Sequence, residues 1–210
     1  IAHDGYYIGH THSMLWITTG AIKLARVTGN EDLLARCKRI VDYVVGISSS
    51  FGWVPEYSGW HAPEDEKCET CCIKDLIECA FELIACGYDE YYNLIDRCVR
   101  NQLIENQVQT ADFIQEDNDR ADEEGRTYKH VRRMVAGGFS GGAEPNNISL
   151  SRFRNIAGCC GATGPEALYL YWKNTISEDD TGLTINFWHN YADDRVTVTT
   201  EYPLDGELTV

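Results

Sequence analysis

THSMLWITTGAIKLARVTGNEDLLARCKRIVDYVVGI, residues 11–47, is the stretch of sequence that decides the fold. Its first part, residues 11–28, predicts an α-helix that ends at Gly29-Asn30, because glycine commonly terminates helices. The side chain of Asn30 can cap a second helix, in which apolar residues recur at three- and four-residue intervals. The stretch therefore predicts two helices joined by a tight turn.

Three more helices are predicted further along the chain, over about residues 67–86, 88–106 and 161–174. Residues 48–66 form a predicted loop rich in Gly, Ser, Pro and aromatic side chains, and residues 107–157 are irregular and polar. Antiparallel helix pairs with short connections indicate either an α/α toroid or a helix bundle. Periodicity alone does not distinguish between these two architectures.

The pattern changes from helix to strand near the C-terminus. Leu183, Ile185 and Phe187 occupy every second position, which is the periodicity of a β-strand, and the segment 196–198 repeats it. We predict that strands begin near Thr181 and form the start of an all-β module.

The composition is that of a globular protein and argues against two classes of partner. Hydrophobic residues make up 43% of the 210 residues and charged residues 24%, which are ordinary values. The net charge of -15 argues against nucleic acid, because phosphate binding needs clustered Lys and Arg. No stretch approaches the roughly 18 consecutive apolar residues of a membrane helix. We expect no nucleic-acid partner and no membrane partner, and the sequence leaves the oligomeric state unknown.

The ends of the chain and its nine cysteines bear on its origin. The chain begins at Ile1 without an initiator Met and stops at Val210 inside a predicted strand, so we expect a fragment of a longer protein. The compartment stays unknown, because free cysteines favour the cytoplasm without excluding secretion. Four cysteines lie among apolar residues at helical spacing, and we interpret them as small buried hydrophobic side chains: Cys37, Cys79, Cys86 and Cys98.

Two thiol-rich segments carry the candidate chemistry. Cys68-Glu69-Thr70-Cys71-Cys72 places three thiols and a carboxylate at the start of a predicted helix, and Gly158-Cys159-Cys160-Gly161 precedes another. The N–H groups exposed at a helix start favour thiolates. Together the segments could close one tetrahedral site for zinc, which accepts sulfur and carboxylate ligands. Their spacings match no zinc-finger pattern, so buried thiols without a metal are the alternative.

The same motifs resemble a known family of enzymes. Glu69-Thr70-Cys71, the Cys159-Cys160 pair and the helix-then-strand order resemble the beta-L-arabinofuranosidase group, glycoside hydrolase family 127. The segment 200–206 also resembles the opening of that family's β-sandwich. The resemblance implies a mainly α fold: part of an (α/α)6 barrel of the six-hairpin glycosidase type over residues 1–178, followed by the first strands of a β-sandwich over residues 179–210.

The resemblance also implies a set of chemical roles. It makes Glu69, Cys71, Cys159 and Cys160 the ligands of a Zn²⁺ cofactor, and it makes Cys159 the nucleophile as well. A thiol that zinc keeps deprotonated at neutral pH can attack an anomeric carbon. The thioglycosyl intermediate is then hydrolysed with net retention. The implied function is a glycoside hydrolase, a retaining exo-glycosidase that releases L-arabinofuranose from a carbohydrate substrate.

Such a reaction needs a general acid that protonates the leaving oxygen. The family places this glutamate in a loop shortly before the Glu-Thr-Cys helix, and Glu56 is the best match. Glu64 and Glu66 are its rivals in the same loop. An ordinary solvated loop acid is the alternative interpretation of Glu56.

Four residues are predicted to contact the sugar. His10 and His12 occupy the region in which the family has a sugar-contacting histidine, although an H-x-H pair can also bind metal or play a structural role. Trp53 and Tyr57 lie in the same loop as Glu56 and offer aromatic faces for stacking, although core packing is the commoner use of an aromatic residue.

Two other functions compete with the glycosidase. One is a catalytically inactive carbohydrate-binding or structural zinc module, and the other is a thiol redox protein, which the lack of a C-x-x-C motif disfavours. Cys68 and Cys72 depart from the family pattern, and either could replace a predicted zinc ligand.

Overall fold

The computed structural model of the chain describes residues 2–59, 67–142 and 158–210. These residues form a mainly helical fold with small antiparallel sheets, as the sequence predicts. None of the helices within these ranges is long and apolar enough to cross a membrane. The α-helices of the described ranges are α1 (Thr11–Thr28), α2 (Glu31–Ile47), α3 (Thr70–Ile84), α4 (Tyr92–Cys98), α5 (Val131–Val135) and α6 (Cys159–Lys173).

The hairpin of α1 and α2 forms as the sequence predicts. α1 ends at Gly29, whose φ of 65° lies in the left-handed region that glycine tolerates best. The side chain of Asn30 then accepts a hydrogen bond from the backbone N–H of Leu33 at 3.0 Å and caps α2. Both helix boundaries predicted at this turn are confirmed.

α3 begins later than the predicted start near residue 67. Cys68 forms an isolated antiparallel bridge with Pro55, and Glu69 keeps an extended backbone with φ -92° and ψ 132°. The pairing holds the chain in an extended conformation up to Glu69, so the first helical residue is Thr70. Glu69 is therefore the N-terminal cap residue of α3.

Two other predicted helices differ from the structure. α6 begins at Cys159 rather than at residue 161, so the cysteine pair belongs to its first turn. The predicted helix 88–106 is divided into a 3₁₀ turn (Asp89–Tyr91), α4 and a π-helical turn (Val99–Leu103). Each of these 3₁₀ and π turns is too short for its different residue spacing to show in the apolar pattern, so periodicity does not distinguish them from an α-helix.

α3 lies at the centre of the helical core. It packs against α1 and against α6, while α2 packs against α1. Most of its residues are buried, and Leu76 and Leu83 are fully buried. The mainly α class is confirmed by this packing, and the (α/α)6 barrel stays a prediction.

Short antiparallel strands accompany the helices. β1 pairs with β2 so that His10 lies opposite Tyr57, which connects the start of α1 with the loop before α3. β3 pairs with β4, and the remaining three strands form a sheet in the order β5-β6-β7. The strands are β1 (Gly9–His10), β2 (Tyr57–Ser58), β3 (Ile176–Asp179), β4 (Gly182–Ile185), β5 (Tyr191–Ala192), β6 (Thr197–Thr200) and β7 (Leu208–Thr209).

The C-terminal strands begin at Ile176, earlier than the predicted start near Thr181. Ile176 pairs with Ile185 and forms a small buried cluster with Tyr191 and Val198. One buried residue in a short polar strand leaves no alternation to detect, which explains why the sequence pattern misses β3.

Phe187 connects the strand-rich segment with the helical core. Its side chain is fully buried, and its ring centroid lies 4.3 Å from that of Tyr171 in α6 and 6.1 Å from that of Phe81 in α3. The guanidinium of Arg100 donates a hydrogen bond to the carbonyl oxygen of Trp188. The C-terminal segment thus packs on the helices, and a domain boundary at residue 179 stays a prediction.

Candidate metal centre

The candidate centre lies where the N-termini of α3 and α6 meet. Glu69 caps α3 and Cys71 lies in its first turn. Gly158 precedes α6 with a φ of 82°, which glycine adopts readily, and Cys159 and Cys160 follow in the first turn. Because α3 packs against α6, two distant segments bring four donor side chains together. This convergence is the one that the two motifs predict.

The distances between the donor atoms of the cluster fit a cation in tetrahedral coordination. The Oε1 atom of Glu69 lies 3.1 Å from the Sγ of Cys159 and 3.7 Å from that of Cys160. The Sγ of Cys160 lies 3.4 Å from that of Cys71 and 4.0 Å from that of Cys159. Bond lengths of about 2.3 Å to sulfur and about 2.0 Å to oxygen give tetrahedral edges of about 3.5–3.8 Å. The four donors can therefore hold one metal ion.

Three of these four side chains are buried and one is exposed. Glu69 is 7% exposed, and Cys71 and Cys160 are fully buried. Cys159 is exposed to solvent. The nine cysteines all carry free thiols, so the cluster contains no disulfide.

The electrostatics of the cluster favour a cation. The hydrogen bond with Cys160, and then burial, raise the pKa of the Cys71 thiol far above its ordinary value. Partial desolvation, and then the neighbouring Cys71 and Glu69, raise the pKa of Cys159 to about 12. Thiols this close to a carboxylate resist ionisation by themselves, and a bound metal ion removes this resistance because it deprotonates a coordinated thiol.

The second carboxylate oxygen of Glu69 points away from the three thiols. Its Oε2 lies 2.8 Å from the Nε2 of His10 and 3.9 Å from the Sγ of Cys72. Burial opposes the ionisation of Glu69, but hydrogen bonds from His10 and Cys159 outweigh it and hold the pKa of Glu69 below its ordinary value. The hydrogen bond to Glu69 in turn raises the pKa of His10. The other ring nitrogen of His10, Nδ1, lies 3.2 Å from the hydroxyl of Ser13.

The two extra cysteines beside the motif have different surroundings. Cys68 is fully buried, and its Sγ lies 4.0 Å from the Nδ2 of Asn106. Cys72 is also fully buried, and it faces Glu69. Neither belongs to the four-donor cluster, and Cys72 forms a second group with His10 and Glu69 that could hold a metal ion.

His12 lies beside this second group. Its Nδ1 forms a short hydrogen bond with the Oδ2 of Asp75, which is almost completely buried in α3. Its ring stacks on the exposed indole of Trp16 with centroids 6.1 Å apart, and it lies 5.5 Å from the ring of His10. Asp75 fixes one ring nitrogen of His12, so the orientation of this imidazole is set by the protein.

Glu56 and Tyr57 lie at the edge of the centre. The backbone of Glu56 is held by hydrogen bonds to Thr11 and Lys67, at 2.8 and 2.6 Å. The charge of Glu56 contributes to the raised pKa of His10, after the larger effect of the bond to Glu69. The ring of Tyr57 lies 5.0 Å from that of His10. The predicted general acid is thus brought to the same end of α1 as the cluster.

The remaining predicted residues lie elsewhere. Trp53 is 7% exposed and belongs to the main hydrophobic core, so its sugar contact stays a prediction. Glu64 and Glu66, the rival acids, lie outside the described residues.

Sequence reasoning missed two buried charges in α3. Lys74 is 6% exposed, and its Nζ donates a hydrogen bond to Glu78 at 2.6 Å. Asp75 holds His12. Charged residues at apolar positions of an otherwise buried helix are the signal that could have found them, because such groups are rarely buried without a partner.

Comparisons with protein-family models, with curated proteins and with solved structures found no match for this chain.

Proposed function

We propose that the protein is a retaining exo-glycosidase that binds zinc through Glu69, Cys71, Cys159 and Cys160 and uses Cys159 as its nucleophile. The observation that carries this proposal is the asymmetry of the cluster. Three donors are buried, whereas Cys159 is exposed and accessible to a substrate. A purely structural site needs no exposed thiolate, while a nucleophile has to reach its substrate.

Zinc is the proposed metal because of the donor set. Three sulfur atoms and one carboxylate oxygen suit zinc in tetrahedral geometry, and they suit magnesium or calcium poorly. When bound, zinc would keep the thiol of Cys159 deprotonated at neutral pH. Glu69, Cys71 and Cys160 would then fix the position of the Cys159 sulfur.

The chemistry would proceed in two displacements. The Cys159 thiolate forms a carbon–sulfur bond to the anomeric carbon as the bond to the leaving oxygen breaks. Glu56 donates a proton to that oxygen and becomes a carboxylate. It then takes a proton from the water that attacks the same carbon, and the thiolate leaves. Two inversions at one carbon give net retention.

The substrate contacts we propose come from His12 and Tyr57. Asp75 occupies one ring nitrogen of His12, so the other can contact a hydroxyl of the sugar. Both ring nitrogens of His10 have protein partners, Glu69 and Ser13, so we do not assign His10 a contact with the sugar. L-Arabinofuranose is the proposed sugar on the resemblance of the motifs alone.

The (α/α)6 barrel is part of the same proposal. α1 buries one face against α3, yet its opposite face exposes large apolar side chains, and α6 does the same. In a toroid such faces pack against neighbouring helices, which supports this architecture. The exposed side chains are Trp16, Ile17, Leu24 and Val27 in α1, and Tyr169 and Trp172 in α6.

Labelling with a cysteine-directed sugar electrophile, such as a haloacetamide derivative of L-arabinofuranose, tests the proposed function. We expect modification of Cys159 at a rate that free arabinose slows. Cys86 is a free, partly exposed thiol that follows the C-terminal end of α3, whereas the centre lies at the N-terminal end, so it reports non-specific reaction. Equal labelling of Cys86 and Cys159, with no protection by arabinose, would instead support an inactive zinc module.

A further inference from the structure

We propose that the carboxylate of Glu69 bridges two metal ions and that His10, Glu69 and Cys72 hold the second, a zinc-type divalent cation. This inference rests on the proposed metal centre, because it shares Glu69 with it. It does not require that the protein be a glycosidase.

The two oxygens of Glu69 face two different donor sets. Oε1 faces the thiols of the first site, with Cys159 at 3.1 Å. Oε2 faces His10 and Cys72, and these three donor atoms lie within 4.8 Å of one another. In two-metal sites the ions lie about 3.5–4 Å apart, a separation that a carboxylate can span with one oxygen on each ion.

The separations around Oε2 fit metal coordination. The nitrogen of His10 lies 2.8 Å from Oε2, and the sulfur of Cys72 lies 3.9 Å from it. With metal bonds of about 2.0 Å to nitrogen and oxygen and about 2.3 Å to sulfur, these separations correspond to angles of about 90° and about 130° at the cation. Both angles occur in distorted tetrahedral sites with an open position.

The surroundings of Cys72 give a second reason. Its side chain is fully buried, and within the described ranges its thiol makes one hydrogen bond, the long contact to Oε2 of Glu69. A thiol is a weak donor, so this long contact leaves the buried sulfur of Cys72 without a strong partner. A cation bound by Oε2 of Glu69 and by the Cys72 sulfur would supply that partner.

The charge of the first site gives a third reason. One carboxylate and three thiolates bring four negative charges, and one zinc ion cancels two of them. Uncompensated charge at a buried site is costly. A second divalent cation would add two positive charges while the Cys72 thiolate adds one negative charge, and neutral His10 adds none. The second ion therefore reduces the excess negative charge.

Metal stoichiometry tests the proposal, with zinc itself as the probe. The protein is dialysed against buffered free zinc, and bound metal is counted per chain by mass spectrometry. We expect two ions in the unaltered protein and one in Cys72→Ala. Cys79→Ala is the matched control, because Cys79 is a fully buried thiol of the same helix whose partners are Thr19 and Leu15. It should keep two ions.

Cadmium-113 NMR gives an independent readout. With cadmium in place of zinc, we expect two resonances, one from each site. Cys72→Ala and His10→Gln should each remove the resonance of the second site, whose cation has fewer sulfur ligands. A single ion that Cys72→Ala retains and Cys71→Ser loses would overturn the second site and leave the first intact. No bound ion in the unaltered protein would overturn both sites.

Discussion

The Sγ atoms of Cys71 and Cys160 lie 3.4 Å apart, although 89 positions separate the two residues in the chain. The first belongs to α3 and the second to α6, so the packing of these two helices sets their distance. Both thiols are fully buried. The centre is therefore a property of the tertiary structure, and it depends on how α6 packs against α3.

Replacement of a buried cysteine ligand should weaken zinc binding strongly. In Cys71→Ser a hydroxyl replaces a thiolate, which suits zinc much less well. Loss of a residue that only hydrogen-bonds a metal ligand lowers metal affinity by roughly 10- to 100-fold. We expect a greater loss of affinity here, because a ligand itself is replaced. Competition with a chromophoric chelator measures it. Unchanged affinity in both Cys71→Ser and Cys160→Ser would rule out the ligand set.

The packing of α6 against its neighbours can be tested by substituting two glycines of that helix. A Cβ at Gly164 would lie 2.2 Å from the ring of Phe139, whereas one at Gly161 would meet open space. We expect Gly164→Ala to lower the free energy of unfolding by about 1–3 kcal/mol. Gly161→Ala should raise it by about 0.5–1 kcal/mol. Denaturant titrations of the zinc-free proteins measure both values, and equal effects would refute the packing.

The stability of the zinc-free protein should depend on pH through the pair of His10 and Glu69. The pKa of His10 is raised, so its stabilising effect is complete below its ordinary value of 6.5 and is lost as the pH rises through the higher folded value. The pKa of Glu69 is lowered, so its effect is present above 4.5 and is lost as the pH falls through the lower folded value. The pair should therefore stabilise most between pH 4.5 and 6.5.

Melting temperatures measured from below pH 4.5 to above pH 6.5, in the presence of a chelator, check that prediction. The difference between the unaltered protein and His10→Gln should be largest between the two ordinary pKa values and should shrink on both sides. A difference that does not vary with pH would mean that the pair does not ionise as described.

Glu56→Gln separates protonation of the leaving group from the attack by sulfur. An aryl arabinofuranoside with an acidic leaving group needs little protonation, so its first step should survive, while an alkyl-linked substrate should lose about 10²- to 10⁴-fold in rate. Pre-steady-state kinetics with both substrates measure this. Equal losses of rate on the two substrates would mean that Glu56 is not the general acid, and Glu64 or Glu66 would be tested next.

Local signals in the sequence predicted a large part of this structure. The turn at Gly29-Asn30 was predictable because a helix stop and a helix cap depend on adjacent residues. The meeting of Glu69 with Cys159 was predictable because metal ligands on two helix starts have chemical reason to converge.

Other features depend on distant contacts that no local pattern contains. The start of α3 is delayed by the pairing of Cys68 with Pro55. His12 acquires its partner Asp75 only through the packing of α1 against α3. Cys72 looked like an irregularity of the motif, and its position opposite Oε2 of Glu69 follows from the turn of α3.

The proposed mechanism requires that Cys159 form a covalent bond to the sugar. Rapid quenching of the zinc-loaded protein with an activated aryl L-arabinofuranoside, followed by peptide mass spectrometry, tests it most directly. We expect a pentosyl adduct on the peptide that carries Cys159, absent in Cys159→Ser and unchanged in Cys86→Ser. Turnover of the substrate by Cys159→Ser at the rate of the unaltered protein, or an adduct on another residue, would contradict it.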